Sequence, residues 1–441
     1  MAEPLRHPEE APIGPVLRPP LARRFGPWWR FWFGLSLCGL LLFVVGLLIP
    51  LWVGIGSWGV GIPHVWGFGI ANYAWWIGIA NGASLFAAIL VLRQHNLRTA
   101  INRFAEAIAV AAVFAAALYP VVHLGRPFSS YWMFPYPATT GLWPQFLSPL
   151  TWDFWAILSH LLVTTTFWYV GLVPDLATLR DKAKNRPLKR FYGLLALGWR
   201  GSVRQWAFHQ RAHRLTALTV IPMLFVMQSA VAFMFASTLV PDWHSTRQAL
   251  TLTVSAFESG LAAILVMAHL LRHGLSLQDH IDDLDIDLLG RLLAANALVA
   301  MYLFAGGIFL GLLDDPEPRT ALLTRLTGSY SSLFWIAWFL TILAPLPLLW
   351  SNVRRQPWLA LAIGGAVLAG TWLERVSLVV GGLPAERIGL LRANYSPTAA
   401  EWILFLGSAG LVLFFMLGFA RLLPTISLYE TRHDQHAGRA A

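Results

Sequence analysis

Apolar residues in this chain arrive in unbroken blocks of about twenty, the length at which an α-helix crosses a hydrocarbon layer of about 30 Å. Ten such blocks are legible: Phe31–Trp52, Phe68–Leu92, Phe104–Val122, Leu150–Val173, Leu215–Val240, Ala249–Leu271, Leu288–Leu313, Ser331–Trp350, Trp358–Val380 and Trp402–Leu423. Strands are not expected, because an unclosed sheet leaves backbone N–H and C=O groups unpaired in lipid. Composition agrees: 57% of the 441 residues are hydrophobic and 12% charged, against about 25% charged in a soluble domain. The expected fold class is all-α, a polytopic membrane protein of about ten transmembrane helices.

Orientation follows from the basic residues. With the N-terminus in the cytoplasm, most of the 32 Lys and Arg fall in the tail, in the loops after spans two, four, six and eight, and in the C-terminal segment. That is the positive-inside pattern, and it predicts cytoplasmic termini. The net charge of +10 then reflects loops beside lipid rather than a nucleic-acid surface. The first residues lack the short apolar core of a signal peptide and are expected to form a cytoplasmic tail. Cys38 is the single cysteine, so an iron–sulfur cluster, a zinc site or a thioether-linked haem is not expected in this chain.

Loop lengths suggest an organisation. Residues 1–30 form the tail, and 31–67 a peripheral first helix with its outer loop. Residues 68–240 form a first four-helix bundle and 241–380 a second, while 381–441 hold the last helix and a tail. The outer connection between spans three and four, with "FPYPATTGLWPQF", is dense in Pro and aromatics and reads as a cap or docking surface. The basic stretch from Pro174 to Arg214 reads as an amphipathic segment on the inner leaflet.

Ionisable groups inside spans cost about 2.5–3.5 kcal/mol each on insertion scales, so they tend to face the protein interior. His123 ends span three, one turn beyond Tyr119 on the same face, and Asp153 opens span four at the same end. A histidine tuned by a nearby carboxylate suits exchange of protons with a quinone headgroup; capping of loop backbone is the structural alternative for such a pair. His160 lies two turns deeper than Asp153, about 10 Å along the axis, as a second quinone contact, a proton relay, a haem ligand or a buried structural histidine. Glu106, near the inner end of span three, is a candidate for a proton path or for pairing with Arg103. Glu258 lies mid-span in span six and needs a partner or a proton. Glu374 and Arg375 are adjacent and need not pair with each other.

Several stretches taken together, "WGFGIANYAWWIGIANGASLFAAILVLRQHNLRTAINRFAEAI", "VVHLGRPFSSYWMFPYP", "SPLTWDFWAI", "WYVGLVPDLATLRD", "VPDWHST" and "GTWLERVSLVV", resemble the NrfD/polysulfide-reductase membrane-subunit family. The likeness is greatest to the larger quinol-oxidising membrane subunit of alternative complex III. The resemblance implies two four-helix bundles and a quinone site (menaquinone or ubiquinone) at the outer face, with no metal or haem in this chain. It also implies a peripheral iron–sulfur subunit beside a catalytic subunit, in a bacterial inner membrane. By motif position His123 and Asp153 match the quinone-site pair, and Glu106 a carboxylate on a proton route. Tyr119, Arg126, His160 and Asn81 are further candidate quinone contacts, and Glu258 a further proton-path group. Asn81 stands where many such subunits have a histidine, and Met234 where they have an aspartate.

Two other classes compete. A diheme b-type cytochrome needs facing histidines at matched depths, whereas His123, His160 and His269 fall at three depths. A secondary transporter would use broken helices near the midplane, with Gly306–Gly307 and Gly364–Gly365 as the hints.

Overall fold

The computed structural model describes residues 26–61, 64–93, 97–125, 128, 149–238, 240–274, 277–278, 281–382 and 395–424. Its helices are α1 (Pro27–Val53), α2 (Phe68–Arg93), α3 (Leu97–His123), α4 (Pro149–Lys182), α5 (Arg186–Leu195), α6 (Val203–Ala236), α7 (Gln248–Gly274), α8 (Asp283–Leu313), α9 (Pro316–Thr327), α10 (Ser331–Trp338), α11 (Ser351–Arg354), α12 (Pro357–Gly381) and α13 (Ala399–Leu422). Among the described residues ten segments are long and apolar enough to cross a membrane, and they coincide with the ten blocks read from the sequence. The protein is an all-α, multi-pass membrane protein.

Local chemistry sets the helix starts. Ser202 and Gln205 form a capping box at α6, Asp282 and Asp285 at α8, and Thr398 and Glu401 at α13. Each satisfies backbone N–H groups that the first turn leaves without intrahelical partners. The basic stretch after span four departs from expectation. Instead of one surface segment, α4 continues to Lys182, α6 begins at Val203, and only α5 lies between them. Tyr192 of α5 donates to the carbonyl of Leu422 at 2.8 Å, which ties this short helix to the end of α13.

Helices α2, α3, α4 and α6 pack in a ring, and α7, α8, α10 and α12 form a second. The rings meet where α2 packs against α7 and α12. Side chains are excluded from part of that seam: a Cβ on Gly82 would strike the carbonyl of Ala256, and one on Gly260 the backbone of Gly82. Backbones approach this closely in membranes only through small residues. Helices α1 and α13 pair outside both rings, again through glycine (Gly39 against Gly410), and α13 leans on α3. Burial ranks the spans accordingly: α2 is mostly buried and α1 mostly exposed, so α2 is shared interior and α1 lies at the periphery.

Span eight is broken. After α10 comes a π-helical turn (Phe339–Leu343) and then, past Pro345, a 3-10 turn (Leu346–Leu349). The carbonyls this frees are not left bare. Arg354 donates to Leu348 and Leu349 at 2.6 and 2.8 Å, while its Nε pairs with Asp287 of α8 at 2.5 Å.

Candidate functional site

Three helices of the first ring bring polar groups to one end. Helices α2 and α4 both begin there and α3 ends there, so Tyr73 and Asp153 come from the first two turns of their helices and His123 from the last turn of its own. Tyr73 donates its hydroxyl hydrogen to Oδ1 of Asp153, and both side chains are buried. His123 is half-buried, and its Nδ1 is enclosed without a hydrogen-bond partner among the described residues. Trp58, from the connection between α1 and α2, covers it with ring centroids 6.0 Å apart.

That connection is itself fixed. Gly59 N–H donates to Oε2 of Glu401 at 2.8 Å, and Thr398 Oγ1 donates to the carbonyl of Ser57 at 2.9 Å. Glu401 also accepts from the hydroxyl of Tyr395 at 2.5 Å, and that oxygen accepts from the N–H of Phe68 at 2.7 Å. Burial and then the Glu401 carboxylate raise Tyr395 above its usual range, so it stays a hydrogen-bond donor. The start of α13 therefore clamps the indole over the imidazole.

Tyr119 shares a face with His123 yet spends its hydroxyl elsewhere. It donates to Oγ of Ser408 on α13 at 3.0 Å, and Trp76 Nε1 donates to the same oxygen at 2.9 Å. Its role in the geometry is to fix the last turns of α3 against α13.

Deeper in the ring lie polar atoms with no partner among the described residues: both ring nitrogens of His160, both amide atoms of Asn81, Oγ1 of Thr164 and Nε2 of Gln228. All four residues are at most 2% exposed. Asn81 is eight residues below Tyr73 and His160 seven below Asp153, which puts both about 10–12 Å beneath the Tyr73–Asp153 pair. Buried polar atoms are almost always satisfied, and a set of this size fits a polar ligand or ordered water.

At the opposite end Glu106 is locked into an ionic hub. Asn102 donates to its Oε1 at 2.5 Å, Arg103 lies 3.6 Å from Oε2, and His213 of α6 is 3.6 Å from Oε1. Arg103 also donates to the carbonyl of Gly171 at 2.5 Å and pairs with Asp175 at 3.1 Å, both on α4. The hub ties α3, α4 and α6 together with almost no exposure.

Glu258 stands apart from both clusters. The charges that act on it are Glu374 and Arg375 of α12, in the second ring. Those two neighbours do pair, at 3.3 Å, although adjacent helical positions diverge. His269, buried in α7, has its Nδ1 hydrogen-bonded to the carbonyl of Leu265 at 2.9 Å. Arg126, and the expected docking loop apart from Phe128, lie outside the described residues.

Sequence reasoning missed Tyr73, Trp58, Gln228 and Ser408. Tyr73 had a signal: it lies on one stripe with Asn81, eight residues on, at the end of span two that faces Asp153. Trp58 and Ser408 had none, since their roles depend on contacts across much of the chain.

The family described as Polysulphide reductase, NrfD, matches the chain over residues 59–385. A selenate reductase subunit of Mesobacillus selenatarsenatis is 23% identical over 412 residues, covering 89% of this chain and 93% of that protein. A protein of Halobacterium salinarum provisionally named as a dimethyl sulfoxide reductase membrane subunit is 23% identical over 263 residues, 57% of this chain and 54% of its own length.

Proposed function

Because the chain belongs to the NrfD polysulphide reductase family, we propose that it is the quinone-reactive membrane subunit of a multisubunit respiratory oxidoreductase. It exchanges electrons between the quinone pool (menaquinone or ubiquinone) and a peripheral iron–sulfur subunit that serves a catalytic subunit. The observation that carries this reading is the placement, at the same end of the first ring, of a His123 imidazole whose Nδ1 has no partner among the described residues and of an Asp153 carboxylate held by Tyr73.

Oxidation of a quinol to a quinone releases two electrons and two protons. The groups at this end suit that separation. His123 takes a proton at its imidazole. Asp153 takes the other at its carboxylate, which Tyr73 keeps aimed while its own hydrogen stays on the phenol. Trp58 closes the site against lipid and supplies a flat apolar wall for a ring. Electrons leave to an iron–sulfur partner seated over the connection that follows His123. The relatives named as reductase subunits support this quinol-oxidising direction. The distribution of Lys and Arg supports a His123 end on the outer side of a bacterial inner membrane, with Glu106 toward the cytoplasm.

The test is quinol-dependent electron delivery by the isolated complex. His123→Ala and Asp153→Asn should each lower it by at least about 100-fold, the usual scale for losing an acid–base group, while the complex still purifies intact. Turnover near wild type with a soluble quinol analogue would remove both residues from the reaction.

A further inference from the structure

The second ring contains a charge cluster that the proposed quinone chemistry does not use. Glu374 has both oxygens engaged: Oε2 accepts from the hydroxyl of Ser255 on α7 at 2.5 Å, and Oε1 lies 3.3 Å from Nη1 of its neighbour Arg375. Glu258, one turn along α7 from Ser255, is 1% exposed, and its Oε1 has no partner among the described residues. It sits about 15 Å along α7 from that helix's first residue, within the span, and the charges reaching it are those of Glu374 and Arg375. Two carboxyls thus face one guanidinium where lipid and packed side chains screen little.

That count leaves one negative charge over. An uncompensated buried carboxylate is strongly unfavourable, so one positive charge is missing. The geometry points to a shared proton: Glu258 and Glu374 together bind one hydrogen ion, with Arg375 as the fixed counter-ion, which makes the second ring a proton-binding site separate from the His123 end. A metal cation fits less well, because hard cations take six or more oxygens. Among the described residues no group of three or more His, Cys, Asp or Glu is placed to hold one. Access runs through Glu374, whose side chain is 29% exposed while that of Arg375 is 3% exposed. A proton arriving at Glu374 passes to Glu258 as the guanidinium compensates whichever carboxylate remains.

The number of buried protonated carboxyls is therefore set by the ion count, and infrared spectroscopy of the intact complex reads it without turnover. At neutral pH the wild type should show, among its buried carboxylic-acid stretches, one contributed by this pair that shifts in D2O. Glu258→Gln should lose it. Glu374→Gln should lose it as well, because Arg375 then suffices for Glu258. Arg375→Gln should double it; if that variant does not fold, the two glutamine variants decide alone. A Glu374→Gln spectrum that keeps the band means burial alone protonates Glu258 and overturns the shared site. So does a Glu258→Gln spectrum identical to wild type, or loss of the wild-type band on adding sodium ions. Since no quinol is present, failure here leaves the His123 assignment untouched.

Discussion

Tyr73 and Asp153 meet across α2 and α4, phenol to carboxylate, although 80 residues separate them in the chain. The contact fixes the side-chain direction of an acidic group at the mouth of a membrane bundle. Tyr73→Phe removes the donor and leaves the packing almost unchanged. A hydrogen bond to a charged group contributes about 1.5–3 kcal/mol, so quinol turnover should fall about 10- to 100-fold with the complex still assembled. Activity within twofold of wild type would make the phenol dispensable.

The hub at the Glu106 end makes a different demand. Arg103 contacts Glu106, Asp175 and the Gly171 carbonyl. Arg103→Gln strips the positive charge from two buried carboxylates, a loss of about 3–5 kcal/mol when one partner of a buried pair is removed. Thermal unfolding in detergent should show a marked drop. The triple change Arg103→Met, Glu106→Gln, Asp175→Asn should recover much of it, since no charge is then left over. A single variant that melts with wild type would show the hub contributes no stability.

Sidedness is tested by labelling. In a Cys38→Ser background, a cysteine at the exposed His244 should react with an impermeant maleimide added outside intact cells, and one at the exposed Arg200 only after lysis. The reverse pattern would put the His123 end on the cytoplasmic face.

His64 supplies a pH dependence. It is buried beside the rings of Tyr330 and Tyr395, and burial holds its imidazole below the ordinary 6.5. The unfolded chain then binds a proton before the folded one as pH falls, so stability present above about pH 6.5 is lost progressively below it. His64→Phe should flatten that part of the melting-temperature profile, with Glu401, joined through Tyr395, as the nearby acidic group. A profile as steep as wild type would assign the acid sensitivity elsewhere.

Hydropathy located all ten spans because it reports which segments prefer lipid, and lipid exposure is a property of each segment by itself. It placed His123 and Asp153 at the same end for the same reason. Partners were another matter. Nothing local says that Tyr73 turns to Asp153, that Trp58 folds over His123, or that Ser408 receives both Tyr119 and Trp76. Helical divergence of adjacent positions left a Glu374–Arg375 pair open, and long flexible side chains bend back far enough to meet. The extensions of α4 to Lys182 and of α6 back to Val203 were hidden because charged turns beyond the lipid carry no hydropathy signal while remaining good helix.

The pairing of α1 with α13 imposes an order on synthesis. Helix α1 leaves the ribosome first among the described helices, and its glycine-lined face packs against a segment made roughly 350 residues later. At about 5–20 residues per second it waits on the order of 20–70 s for that partner. The clamp over His123 and the serine that receives Tyr119 come from the same late helix. A chain that stalls before Ala399 would therefore hold most of its membrane helices and still lack a finished site, so completion of the C-terminal helix acts as the checkpoint for chemistry at the other end of the sequence.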